Sequence, residues 1–341
     1  MRAAVFREAG RPLSVETVAD PVPGPGEVLV RVGRSGICGT DLHLTDARDP
    51  KVPPGTVLGH EFAGEVAALG PGVDRFRCGD RVFVLPLRGC GHCASCLAGE
   101  PSWCPSVQPC YGGYAEYAVA AQTSCFRLPD ALSLADGALV EPLAVALHGV
   151  DAAGIRPGAR VMVQGAGPIG LGVVFWARRL GAGHITVVEG APARAALALR
   201  MGASACRAPG DCAVDPAAFA MGGAPDPTAP EIVFECVGKP GLIAQAIGHV
   251  RPRGTVVSLG FCMTADTLTP AAASVKEARL LFPLGYSARD FAVSAEALAT
   301  GAPEPRLMVT DTVPLDRLPQ VFKQLRTDRT QCKVMVAPAE A

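Results

Sequence analysis

Cys90, Cys93, Cys96 and Cys104 stand in GCGHCASCLAGEPSWC with the spacing C-x2-C-x2-C-x7-C. Four thiolates so spaced close a tetrahedral zinc site and leave no open position, so a metal there would hold a loop and do no chemistry. An iron–sulfur cluster uses the same donor set, but the rest of the chain offers no electron-transfer context. His92, within the segment, reads as a solvent-facing turn residue. A second group is dispersed: Cys38 in GICGTDLH, His60 and Glu61 in GHEFAG, and Glu141 in LVEPLAVALHG. Singly, each has an ordinary reading, as a small core thiol, a satisfied core histidine, or a glutamate opening a helix. A third group is contiguous. Gly165-Ala166-Gly167-Pro168-Ile169-Gly170 follows a strand predicted over 160–164 and opens a helix, the context in which such a run binds a dinucleotide. Gly165 allows the tight turn, Gly167 lets a pyrophosphate approach the backbone, and Gly170 lets helix and strand pack closely, while Pro168 fits the first helical turn. Glu189, 24 residues past Gly165, is placed to bind the adenosine ribose, with Arg194 on the following helix.

These residues need a scaffold of two kinds. From Ala3 to about Pro129 the chain shows short β-branched runs broken by Gly and Pro, the pattern of a mostly β domain. After a helix predicted over 133–153, with Pro142 early inside it, strands alternate with helices as in a parallel sheet with crossover connections. The boundary is predicted near Gly149. A tail from Ser287 adds helix, strand, helix and strand, and periodicity leaves open which domain it joins. The Pro/Gly/Ala-rich stretch 207–230 reads as a surface loop with one weak turn of helix.

The 341 residues suffice for about two domains. With 49% hydrophobic and 18% charged residues the chain buries enough apolar surface to fold. A net charge of −1 gives no general attraction to nucleic acid or to anionic membranes. Arg2, Arg7 and Glu8 interrupt any export signal, and 13 cysteines without one imply a reducing, cytoplasmic setting. The most apolar window, 161–177, is broken by glycines and Pro168 and reads as a buried strand and crossover helix rather than a membrane span.

Taken together, GICGTDLH, GHEFAGEV, the four-cysteine lobe and the glycine run resemble, in order and separation, the zinc-dependent medium-chain dehydrogenase/reductase family of the alcohol dehydrogenase superfamily. Glu141 in VEP looks like the polyol, butanediol and threonine dehydrogenase branch, since classical alcohol dehydrogenases carry a cysteine ligand in this region. The resemblance implies an α/β protein: a Rossmann doubly wound parallel-sheet domain over 150–286, and a mostly β GroES-like catalytic domain over 1–149, to which 287–341 return. It implies two zinc ions, NAD, and a homotetramer or homodimer. It implies a catalytic zinc on Cys38, His60 and a carboxylate, with Glu61 and Glu141 both candidates, and Asp41 orienting a metal-bound histidine. Because an unactivated hydroxyl has a pKa near ~16, an alcohol must lose its proton before its carbon releases hydride; Thr40 and His43 are implied as the proton relay. The expected reaction interconverts a secondary alcohol or polyol and its ketone. L-Threonine is the second substrate candidate, and a zinc-free quinone reductase or a non-enzymatic nucleotide-binding protein are the alternatives from other classes.

Overall fold

The computed structural model describes residues 1–212 and 226–339, and the chain forms two compact units, Met1–Glu141 with Ser287–Ala341, and Pro142–Tyr286. The division falls earlier than the change of sequence rhythm near Gly149, because one continuous helix, Leu134–Ala153, spans it. Periodicity sees the new domain only when its first strand begins; the helix before it is shared. Of the stretch 207–230, Pro209–Cys212 is a short 3-10 turn, and 213–225 lie outside the described residues.

The first unit is built around the strand Glu27–Gly36 (EVLVRVGRSG), in which Val28, Val30 and Val32 alternate inward and are fully buried. They join Phe62, Val66, Val82 and Val84 in one apolar core. Within this seven-stranded sheet, Glu61–Leu69 pairs antiparallel along one edge of Glu27–Gly36 and Lys333–Ala337 pairs antiparallel with its carboxyl end. Gly36 is therefore opposite Glu61 in one register and Met335 in the other. A Cβ at Gly36 would lie 2.0 Å from Glu61 Oε2, so only glycine lets the carboxylate lie across this strand. A separate three-stranded sheet joins Ser14–Thr17, Arg2–Phe6 and Thr56–Val57. Two helices of this unit start on the same local device. Ser133 and Ser287 accept from the backbone N–H groups of Asp136 and Asp290, whose carboxylates accept in return from each serine's N–H.

The second unit carries a six-stranded parallel sheet in the order Ala205–Arg207, His184–Val188, Arg160–Gln164, Ile232–Glu235, Thr255–Ser258, Arg279–Leu281. The order reverses between Arg160–Gln164 and Ile232–Glu235, and the crevice outside the carboxyl ends of strands at such a point is where doubly wound sheets bind ligands. The apolar window 161–177 is the strand Arg160–Gln164 and the helix Pro168–Arg179, mostly buried, and no helix among the described residues is long and apolar enough to cross a membrane.

Candidate active site

Cys38 caps the short helix Gly39–Leu44: its sulfur accepts from Thr40 N at 3.4 Å, and its own N–H donates to Asp41 Oδ2 at 3.2 Å. His60 directly precedes the strand Glu61–Leu69, after Gly59, whose φ of 84° and close packing on the Tyr114 ring exclude a side chain. One ligand atom each from Cys38, His60 and Glu61 lies within 4.8 Å of the others. Asp41 is fully buried behind them, 3.2 Å from His60 Nδ1, and accepts a 2.6 Å hydrogen bond from the Tyr114 hydroxyl. Since Nδ1 faces Asp41, Nε2 is the nitrogen left for a metal.

Burial works against charge on His60, yet Asp41 and Cys38 outweigh it and raise the ring well above the ordinary imidazole range. Burial, then Glu61, pushes the Cys38 thiol up. Sulfur, nitrogen and carboxylate donors crowded together, with His60 and Glu61 buried and Cys38 half-buried, are what a soft-to-borderline divalent cation such as zinc relieves, so the set fits that ion.

The two carboxylates named from sequence part company here. Glu61 joins the cluster; Glu141, buried on the helix Leu134–Ala153, is not one of its three members. Lys333, which the sequence reading missed, is the cation beside Glu61. Its Nζ donates to Glu61 Oε1 at 2.7 Å, to Oε2 at 2.6 Å and to the Ile37 carbonyl at 3.0 Å, with Lys333 and Glu61 each 1% exposed. Burial opposes its charge, but Glu61, Cys38 and Glu141 all favour it. Its one sequence signal is a lone charge in the apolar run CKVMVAP. Thr40 and His43 lie three residues apart on the helix Gly39–Leu44, on one face, and both are exposed. His148 is half-buried on the long helix.

The four lobe cysteines also bring their sulfurs within 4.8 Å of one another. Cys90 Sγ is 4.0 Å from Cys96 Sγ, and Cys90 N donates to Cys104 Sγ at 3.2 Å. A Cβ on Gly89 would lie 2.4 Å from Cys96 Sγ. Backbone N–H groups of His92 and Cys93 pull the Cys90 thiol down to about 6, while, against the Gly91 N–H, desolvation and the neighbouring thiols push Cys96 up to about 11, so the crowded sulfurs share charge unevenly without a cation. His92 is exposed and its ring bonds its own turn, through the Cys90 carbonyl at 2.9 Å. Cys104 is the one lobe cysteine that is buried, so little apolar packing holds this loop and four thiolates around zinc fit as its fastening.

In the second unit, Gly165 has φ 90° and donates to the Val188 carbonyl at 2.9 Å. A Cβ on Gly170 would lie 1.9 Å from the Gly165 carbonyl oxygen, whereas one on Gly167 would meet open space. Gly167 caps the helix opened by Pro168 and Ile169. Glu189 directly follows the strand His184–Val188; its Oε2 accepts from Ala166 N at 2.9 Å and its Oε1 from Ala191 N at 2.8 Å. The acid thus lies against the glycine run, which spacing alone did not reveal. Arg194 is half-buried on the helix Pro192–Arg200.

Residues 24–130 match the alcohol dehydrogenase GroES-like domain, and 168–300 match the zinc-binding dehydrogenase model. Sorbitol dehydrogenase of Bacillus subtilis (strain 168) is 31% identical, over 99% of this chain and 97% of that protein. The chain belongs to the zinc-type medium-chain alcohol and polyol dehydrogenases. Among solved structures, a zinc-binding dehydrogenase from Sinorhizobium meliloti 1021 bound to NADP superposes with a TM-score of 0.87 at 32% identity, covering 99% of each chain. The 2R,3R-butanediol dehydrogenase from Bacillus subtilis does so with 0.85 at 29% identity, again over 99% of each. The dehydrogenase therefore has the GroES-like plus Rossmann fold, and it is an oxidoreductase that exchanges hydride between an alcohol or polyol and a nicotinamide dinucleotide.

Proposed function

We propose that this dehydrogenase oxidises a secondary alcohol, foremost a polyol or sugar-like one, reversibly to the ketone with NAD, using one catalytic and one structural zinc per chain. The observation that carries the reading is the cluster of Cys38, His60 and Glu61 within 4.8 Å, backed by Asp41. A zinc ion held there supplies Lewis acidity, which brings an alcohol's proton within reach of neutral-pH bases, and NAD supplies the hydride acceptor. Cys38 and His60 would hold the metal, with Asp41 fixing the His60 ring; Glu61, whose oxygens Lys333 binds, would be the third donor, and Glu141 is the alternative carboxylate. Thr40 takes the substrate proton and His43 hands it toward solvent. Thr40→Val keeps the shape and removes the hydroxyl, so it is expected to lower alcohol oxidation near neutral pH by ~10² to 10⁴-fold. An unchanged rate and pH profile would remove Thr40 from the path.

Glu189 supports NAD over NADP, because a 2′-phosphate would bring roughly two negative charges against its carboxylate. Arg194 softens that repulsion, so preference and not exclusion is expected. The test is NAD and NADP reduction with a panel of sorbitol, xylitol, 2,3-butanediol and L-threonine. Relatives named for sorbitol and butanediol put the polyols and the diol ahead of L-threonine; turnover of L-threonine alone would favour the second substrate candidate. No turnover of any alcohol by zinc-replete protein would leave the non-enzymatic alternative. Equal kcat/KM for the two cofactors, or an NADP preference that survives Glu189→Ala, would show that Glu189 does not read the ribose.

The balanced charge supports small-molecule partners and copies of the chain itself over nucleic acid or membrane, in a cytoplasmic homodimer or homotetramer. The strand Arg279–Leu281 is the sheet's edge and is followed by exposed Phe282 and Leu284, an apolar edge that a second copy would cover. Light scattering is expected to give a dimer or tetramer that Phe282→Lys with Leu284→Lys converts to a smaller species. A monomeric wild type would defeat this reading.

A further inference from the structure

Glu235 is a carboxylate at the last position of the strand Ile232–Glu235, 1% exposed, on the far side of the sheet's switch point from the glycine run. Its Oε1 accepts from Val237 N at 2.7 Å and Gly238 N at 2.8 Å, and its Oε2 lies 3.4 Å from the Ser258 hydroxyl. Its carbonyl accepts from Leu259 N at 2.7 Å and Gly260 N at 3.0 Å. One residue thus binds the turns that leave two neighbouring strands. The turns are also pressed together: a Cβ on Gly238 would lie 1.8 Å from the Gly260 carbonyl oxygen, and one on Gly260 would lie 2.7 Å from Glu235 Oε2. The fastened segments end in apolar side chains open to solvent, Val237 at 42% and Phe261 at 54% exposure. Phe261 is held at φ 52°, a conformation that a bulky residue keeps only where its surroundings impose it.

A doubly wound sheet binds one mononucleotide on each half. The glycine run and Glu189 belong to the half made by Arg160–Gln164, His184–Val188 and Ala205–Arg207, which takes the adenosine side. The half made by Ile232–Glu235, Thr255–Ser258 and Arg279–Leu281 is left for the nicotinamide side. We propose that Glu235 is a positioning residue for the nicotinamide half of the cofactor, acting by holding the 236–238 and 259–261 turns in one arrangement. The inference rests on the nicotinamide-dinucleotide reading above.

The experiment compares NADH with ADP-ribose, which has the adenosine half and lacks nicotinamide, by calorimetric titration of full-length, zinc-replete protein. Charge-assisted hydrogen bonds of this kind imply that Glu235→Ala weakens NADH about tenfold or more while ADP-ribose changes by less than about twofold. Glu235→Gln retains one oxygen acceptor for both amides and is expected to recover much of the loss; it also serves alone, with a smaller loss of the same selectivity, if the alanine variant does not fold. Equal weakening of NADH and ADP-ribose, or no weakening of NADH, would overturn the proposal. Wild-type protein that binds neither ligand would instead defeat the cofactor reading, and with it this inference. NADPH and 2′-phospho-ADP-ribose are run beside them, so that a different adenosine-side preference is told apart from a failure at Glu235.

Discussion

Lys333→Met is expected to destabilise the chelator-treated protein by about 3–5 kcal/mol, because it leaves the Glu61 charge buried without its partner. Both residues are 1% exposed, and the ammonium donates to both carboxylate oxygens as well as to the Ile37 carbonyl. Methionine keeps the length of the side chain, so the loss reports charge and hydrogen bonding more than volume. Urea unfolding of Lys333→Met, Glu61→Gln and the double variant separates the terms. The double variant should recover most of the loss, since two neutral groups of similar shape replace a pair whose desolvation was itself costly. Saturating zinc should narrow the deficit of Lys333→Met, because a cation on Cys38, His60 and Glu61 would give the carboxylate another positive partner. A deficit below about 1 kcal/mol in the chelated protein, the scale of an exposed ion pair, would show that water reaches Glu61.

Cys38→Ser is expected to lower turnover on the order of a thousandfold or more, since loss of the bound Lewis acid removes several kcal/mol of charge stabilisation. The same variant should keep one zinc per chain where the wild type is expected to hold two. The four lobe sulfurs lie within 4.8 Å of one another and share no residue with the Cys38 cluster, so the two sites empty independently. Cys96→Ser should do the reverse, melting the 88–105 lobe early on heating, because little buried apolar surface holds it. Elemental analysis and thermal unfolding of both variants check the pair of claims. One metal in undamaged wild-type protein, or full thermal stability of Cys96→Ser, would contradict the assignment.

What the sequence made legible is what has fixed local spacing. The lobe thiols, the glycine run and the order of strands and helices follow from distances along the chain, and the structure brings Cys38, His60 and Glu61 together from two motifs already singled out. Partners set by long-range register were not legible. Lys333 meets Glu61 only because Lys333–Ala337 and Glu61–Leu69 flank the same strand, across 272 residues of chain. Tyr114 reaches Asp41 across 73 residues from a loop rich in glycine, and nothing in its own segment marks it. Glu235 carries no signal in the sequence, since its partners are backbone amides that leave no trace in side-chain pattern. The domain boundary, which the sequence puts near Gly149 and the compact units put at Glu141, differs for a related reason, as the helix that runs through it has one period throughout.

That Lys333–Ala337 lies beside Glu27–Gly36 has a consequence for how the protein is born. A ribosome releases the strand that holds Glu61 first, but the strand that neutralises that carboxylate is made 272 residues later. At about 5–20 residues per second the wait is on the order of tens of seconds. During it the whole parallel sheet of Pro142–Tyr286 leaves the exit tunnel and has the sequence it needs to fold. The cofactor unit is thus free to close while the catalytic unit still presents an open strand edge. A chain arrested or clipped short of Lys333 would carry a finished nucleotide domain and a metal pocket that holds an uncompensated charge.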